Sequence, residues 1–221
     1  MRKFAAFLIM FFPALFSLSQ ETKIDGGFAY MFAPQWDKAI QTYNFSRPFL
    51  ENQQPLFDIG ASISVTQIFS SKNRLKHGFG LSGFSFESRA KNENFDNLLR
   101  LDILKPSYLI HFFNSDKSSG LFTEFGVSLV ISVLSRKVNG SLFDFNEGRY
   151  RAYGIGGEIS NKMGYRFKQK GKFSFSPFVA LAYTPYLYSP NTEVLINQTQ
   201  GLASKSCTPI FSAQIGVSLG F

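Results

Sequence analysis

Along most of the chain, apolar and polar residues alternate with a period of two. The clearest run is at the C-terminus, where Phe211, Ala213, Ile215, Val217, Leu219 and Phe221 alternate with Ser212, Gln214, Gly216, Ser218 and Gly220. Successive side chains of a strand point to opposite faces, so this segment has one apolar face and one small or polar face. Similar runs are predicted at 22–32, 56–69, 120–134 and 172–184. In the first, Ile24, Phe28, Tyr30 and Phe32 share a side; in the second, Phe57, Ile59, Ala61, Ile63, Val65 and Phe69 oppose Asp58, Gly60, Ser62, Ser64 and Thr66. Three further strands, at 77–88, 98–113 and 150–166, have a weaker pattern. In 77–88 the apolar parity changes between Leu81 and Phe84, which predicts a bulge near Ser82-Gly83. In 98–113, Leu99, Leu101 and Ile103 oppose Arg100 and Asp102, and the phase blurs after Pro106. No stretch beyond the first residues shows a convincing 3.6-residue period.

The connections between these eight strands run roughly 23, 8, 9, 6, 15, 5 and 25 residues. Long and short connections alternate, as in a transmembrane barrel with short periplasmic turns and long extracellular loops. The strong strands also reach the roughly 9–11 tilted residues that a crossing requires. Aromatic residues stand near the ends of the apolar faces, Phe57 with Phe69 and Phe211 with Phe221, where membrane–water interfaces favour such rings. Backbone groups in lipid must all be paired, so a sheet that spans has to close. The prediction is all-β: a closed antiparallel up-and-down transmembrane barrel of about eight strands.

Composition agrees with this and removes alternatives. Phe occurs 27 times, yet mean hydropathy is −0.03, too low for a bundle of apolar helices. One cysteine excludes a disulfide framework or a cysteine-rich metal centre. The formal charge of +8 comes from Lys and Arg scattered through candidate turns, without a basic helix, so no nucleic-acid partner is expected. Residues 1–19 form a separate unit. Arg2 and Lys3 precede an apolar run from Phe4 to Leu18 broken by Pro13, and Ser17-Leu18-Ser19 is a small-x-small cleavage site. The run is too short for a membrane anchor, so residues 1–19 are expected to be a cleaved signal peptide, leaving 20–221 as the barrel.

The C-terminal strand carries a resemblance. Ile215, Val217, Leu219 and Phe221, alternating back from a terminal aromatic, look like the assembly signal of outer-membrane proteins. As a whole the chain resembles the small eight-stranded outer-membrane barrels of the OmpA/OmpX type. Its leader ending in Ser-Gln and its long loops are most similar to the PorT-like barrels of the Bacteroidota. The resemblance implies residence in the cell outer membrane, contact with its lipid, and handling by the barrel-assembly machinery. It implies little about activity.

Parity directs Asp58, Arg100, Asp102, Glu124, Glu158 and Gln214 into the lumen, with Gly60, Gly126, Gly154, Gly156 and Gly216 making room. Charges there must pair. One reading is a salt-bridged plug; the other is a gated polar path in which Arg100 exchanges carboxylate partners. Some small outer-membrane barrels are lipid-modifying enzymes or proteases, but His77 and His111 fall near short-turn ends and stand in no metal-spaced or nucleophile-bearing cluster. Both are expected to be interface or turn histidines, and no cofactor or metal is expected. Cys207 has no partner in the chain. The long loops carry Trp36, Tyr43, Phe45, Arg47, Phe49 and Leu50 in the first and Tyr186 and Tyr188 in the last. These residues either pack as a cap over the mouth or dock a protein partner. The expected function is a non-enzymatic structural or assembly component, with a narrow channel or solute transporter as the alternative and a lipid-modifying enzyme behind both.

Overall fold

A computed structural model describes residues 21–48, 52–69, 75–92, 95–113, 119–138, 151–168, 173–197 and 207–221. The expected signal peptide, residues 1–19, together with Phe49 and Leu50, lies outside them. Eight strands follow in order: β1 (Glu21–Phe32), β2 (Ile59–Phe69), β3 (Leu75–Asn92), β4 (Phe95–Phe113), β5 (Gly120–Val138), β6 (Arg151–Lys168), β7 (Ser174–Tyr188) and β8 (Cys207–Gly220). Each pairs antiparallel with its sequence neighbours, and β8 returns to β1 to close the barrel. Closure sets Ile24 against Leu219 and Phe28 against Ile215, so each of the eight strands has a neighbour on both sides.

All eight expected strands are present, and several are longer than expected. β3, β4 and β5 have 18, 19 and 19 residues, nearly twice the roughly 9–11 of a crossing. The connection predicted at roughly nine residues therefore shrinks to positions 93–94, because β3 and β4 stay paired to Asn92↔Phe95. Phe32, Ile59, Asn92, Phe95, Val138, Arg151, Tyr188 and Cys207 end their strands at one end of the barrel, and Glu21, Phe69, Leu75, Phe113, Gly120, Lys168, Ser174 and Gly220 end theirs at the other.

The expected bulge at Ser82-Gly83 is absent. Both registers of β3 run unbroken through Leu81, Ser82, Gly83 and Phe84. Gly80, Ser82, Phe84, Phe86 and Ser88 share the inward parity throughout, while Phe79, Leu81, Ser85, Glu87 and Arg89 share the outward one. What changes between Leu81 and Phe84 is the chemistry of each face. Towards the turn end the wall is apolar outside and polar inside; towards the loop end it is polar outside and apolar inside. Real bulges occur instead beside β7, between Gly157 and Ile159 and between Thr184 and Leu187.

The apolar interior of the loop end receives two helices, α1 (Pro34–Phe45) and α2 (Thr192–Asn197). Pro34 suits a first helical turn, where its missing N–H leaves no bond unmade. Trp36, Ala39, Ile40 and Tyr43 form the buried stripe of α1 at helical spacing. Trp36, Ala39 and Ile40 share one core with Phe57, Phe86, Leu99, Leu101, Leu134, Leu187 and Ile196.

Candidate functional site in the barrel interior

Below this apolar core the inward positions of β1, β4, β5 and β6 bring a charged network together. Lys162 Nζ lies 2.6 Å from Asp25 Oδ2 and 3.8 Å from Glu124 Oε1. Ser64 Oγ donates to Asp25 Oδ2 at 2.7 Å. His111, only 2% exposed, places Nδ1 3.4 Å from both Glu124 Oε2 and Lys23 Nζ. That nitrogen cannot serve both neighbours: protonated it donates to Glu124, and bare it accepts from Lys23. The arrangement can therefore hold or release one proton at a defined atom. Lys162 also sits 4.3 Å from the Phe178 ring centroid, and Lys23 sits 5.0 Å from that of Phe122. These are cation–π contacts that soften desolvation of the ammonium groups. At the turn end, Arg166 Nη2 meets Glu21 Oε1 at 2.7 Å.

A second level lies nearer the helices. Lys105 Nζ pairs with Glu158 Oε2 at 2.6 Å, and Thr184 Oγ1 donates to the same oxygen at 3.1 Å. Ser107 and Ser128 hydroxyls meet at 2.8 Å. Between the two levels is a polar cavity of about 70 Å³, reached by Asp25, Lys105, Glu124, Glu158, Lys162 and Gln214, with room for a few waters.

A chain of polar side chains runs along the β3–β5 side of the mouth. Asn97 Nδ2 donates to Gln54 Oε1 at 2.9 Å, Gln54 Nε2 donates to Ser88 Oγ at 2.7 Å, and Arg136 Nε donates to Asn97 Oδ1 at 2.8 Å. A second Arg136 nitrogen donates to the Leu195 carbonyl in α2 at 3.0 Å, tying that helix to the wall. Asp37 of α1 is buried, and desolvation, with the Asp58 carboxylate adding to it, pushes its carboxyl up to about 6.

Among the expected lumen residues, Glu124, Glu158 and Gln214 do converge on the interior, the last donating to Ser62 Oγ at 2.8 Å. Asp58 stands at the mouth before β2, beside Asp37. The placement of Arg100 and Asp102 is corrected. They face outward and pair with each other at 3.0 Å, while Leu99, Leu101 and Ile103 are buried. This part of β4 stands where the apolar face turns inward, so a parity rule made for the lipid-facing segment inverts. His111 is likewise corrected from turn histidine to interior residue. His77 remains on the outside, 2.5 Å from the Tyr108 hydroxyl. Lys23, Asp25 and Lys162 escaped the sequence reading, although they share parity with residues opposite Ile24 and Ile159. Lys105 was hidden by the reversed phase of β4.

Of the loop residues, Trp36 and Tyr43 are buried in the cap and unavailable as contacts, a correction to their reading as docking residues. Phe45 is 90% exposed; Tyr186 and Tyr188 are exposed, and Arg47 lies 4.1 Å from the Tyr43 ring centroid. Beside β7, Tyr188 pairs in register with Cys207. Among the described residues no group of three or more His, Cys, Asp or Glu could hold a metal ion.

No protein-family model matches the chain, and no curated protein matches it in sequence. Solved structures show a likeness to it. Neisserial surface protein A is 11% identical over 90% of this chain and 94% of its own, with a TM-score of 0.49. The attachment invasion locus protein of Yersinia pestis, solved with the heparin analogue sucrose octasulfate, is 7% identical over 91% and 98%, with a TM-score of 0.45. The outer-membrane protease OmpT of Escherichia coli is 10% identical over 74% and 63%, with a TM-score of 0.42. The chain itself is a closed circuit of eight antiparallel strands with an exposed apolar belt, the form of a transmembrane barrel.

Proposed function

We propose that the protein is a non-enzymatic structural or assembly component of the outer membrane, with a plugged lumen and partner contacts through its extracellular loops. The observation that carries this reading is the stacking of α1 and its apolar core above two levels of interior ion pairs, Lys105–Glu158 and Lys162–Asp25. His111 Nδ1 faces Glu124 and Lys23 rather than a hydroxyl or thiol among the described residues, which supports the non-enzymatic reading. Phe45, Tyr186 and Tyr188 supply exposed aromatic anchors for a partner. Residues 1–19 act as the export signal, and Ile215, Val217, Leu219 and Phe221 present the barrel to the assembly machinery.

Planar-bilayer recording on the purified mature chain tests the plug: a silent bilayer is expected, and steady unit currents overturn the reading. Purification of a natively expressed, loop-tagged copy tests the partner, with one protein at near-equal abundance expected. The polar cavity favours one second reading, a narrow channel. Its conducting path would run past Lys105 and Glu158 rather than Arg100, so Lys105→Met would change its conductance.

A further inference from the structure

The outer wall across β1, β8, β7, β6 and β5 is hollowed into an open apolar groove of about 640 Å³. One register row crosses it: Tyr30 opposite Ala213, Ala213 opposite Leu181, Leu181 opposite Asn161, and Asn161 opposite Phe125. Ala213 makes the row thin, while the rings of Tyr30 and Phe125 stand at its rims. Asn161 is out of character. Between Tyr153 and Tyr165 the outward positions of β6 are Ile155, Gly157, Ile159, Asn161 and Met163, so the amide stands in the middle of the lipid-facing belt. Its bond, Nδ2 to Thr123 Oγ1, is a long 3.4 Å. An acyl chain offers such an amide nothing, and polar side chains at this depth associate membrane segments.

We propose that this groove is a lateral interface for a second copy of the chain, joined through Asn161. A carboxamide both donates and accepts, so two of them complement each other. A second copy with the same orientation carries its amide at the same depth by symmetry, which an unrelated partner would have to match separately. A two-fold axis along the membrane normal through Asn161 sets the Phe125 side of one copy over the Leu181–Ala213 side of the other. Phe125 of each copy then faces Leu181 of the other across the paired amides.

The interface lies on the barrel wall and is independent of the loop partner and of the lumen. The test uses the mature chain, donor- or acceptor-labelled at its N-terminus and reconstituted in phospholipid vesicles at falling protein-to-lipid ratio. Energy transfer above random proximity is expected, together with a two-copy mass in nanodiscs. Asn161→Leu is expected to weaken association at least tenfold while keeping the heat-modifiable migration of a folded barrel. Ala213→Trp, which fills the hollow, serves in its place if Asn161→Leu does not fold. A single-copy mass at every density, with or without retained lipid, overturns the proposal, as does unchanged association in folded Asn161→Leu.

Discussion

Buried charges in this molecule are held by specific partners, and their removal is asymmetric. Lys105→Met leaves Glu158 with only the Thr184 hydroxyl, an uncompensated buried carboxylate that costs about 3–5 kcal/mol. Adding Glu158→Leu should recover most of that loss, since an apolar pair needs no desolvation; urea unfolding in vesicles compares the two. Arg100→Ala, by contrast, removes an outward, partly solvated pair with Asp102 and should change stability by no more than about 0.5 kcal/mol. Asp37 gives a pH dependence of definite sign. Its folded value, raised to about 6, exceeds its ordinary 3.8, so the folded cap favours the protonated acid. Its contribution to stability therefore grows as pH falls through 6 and is complete below 3.8. Protection factors for amide exchange in α1, corrected for the intrinsic pH dependence of exchange, should be higher at pH 4.5 than at 7.5, and Asp37→Asn should flatten that difference.

At the scale of elements, β3 and β4 do two tasks in one strand pair. Near the turns they present Phe79, Leu81, Tyr108 and Phe112 outward; near the loops they turn Phe86, Leu99 and Leu101 inward beneath α1. The cap is therefore part of the sheet's own core rather than a loose loop. Phe86→Ala should cost about 3–5 kcal/mol through the cavity it leaves. The same change should expose α1, read as faster proteolysis within residues 33–58 of the intact barrel. Gly60 belongs to this packing: a Cβ there would sit 2.5 Å from the Phe86 ring.

At the scale of the whole molecule, the barrel passes through two solvents along its axis, and the hydrophobic effect selects opposite faces in each. In lipid the outward face must be apolar and the lumen collects the charges; in water the same wall buries apolar side chains inside. The circuit closes through β1 and β8, and Phe221, just beyond β8, extends that seam. Deleting Phe221, whose N–H and C=O both bond to Thr22, should lower the amount of folded barrel recovered from outer membranes, read as loss of heat-modifiable protein in that fraction.

Strand number, connectivity and the outward face of the membrane segment were legible in the chain itself, because a period of two is a local property and lipid tolerates few exceptions to it. Glu124 and Glu158 could be directed inward on the same ground. The stripe Trp36, Ala39, Ile40 and Tyr43 was also present, but too short to assert a helix against loop-like surroundings. What only the tertiary structure decided was where along each strand the solvent changes, since that height depends on strand tilt and on what caps the mouth. Arg100 and Asp102 went outward, and Lys105 and His111 inward, for that reason. The pairing of Lys162 with Asp25, 137 positions apart in sequence, was likewise decided by closure. Local alternation says which face a side chain takes, but only the closed barrel brings opposite walls within bonding distance.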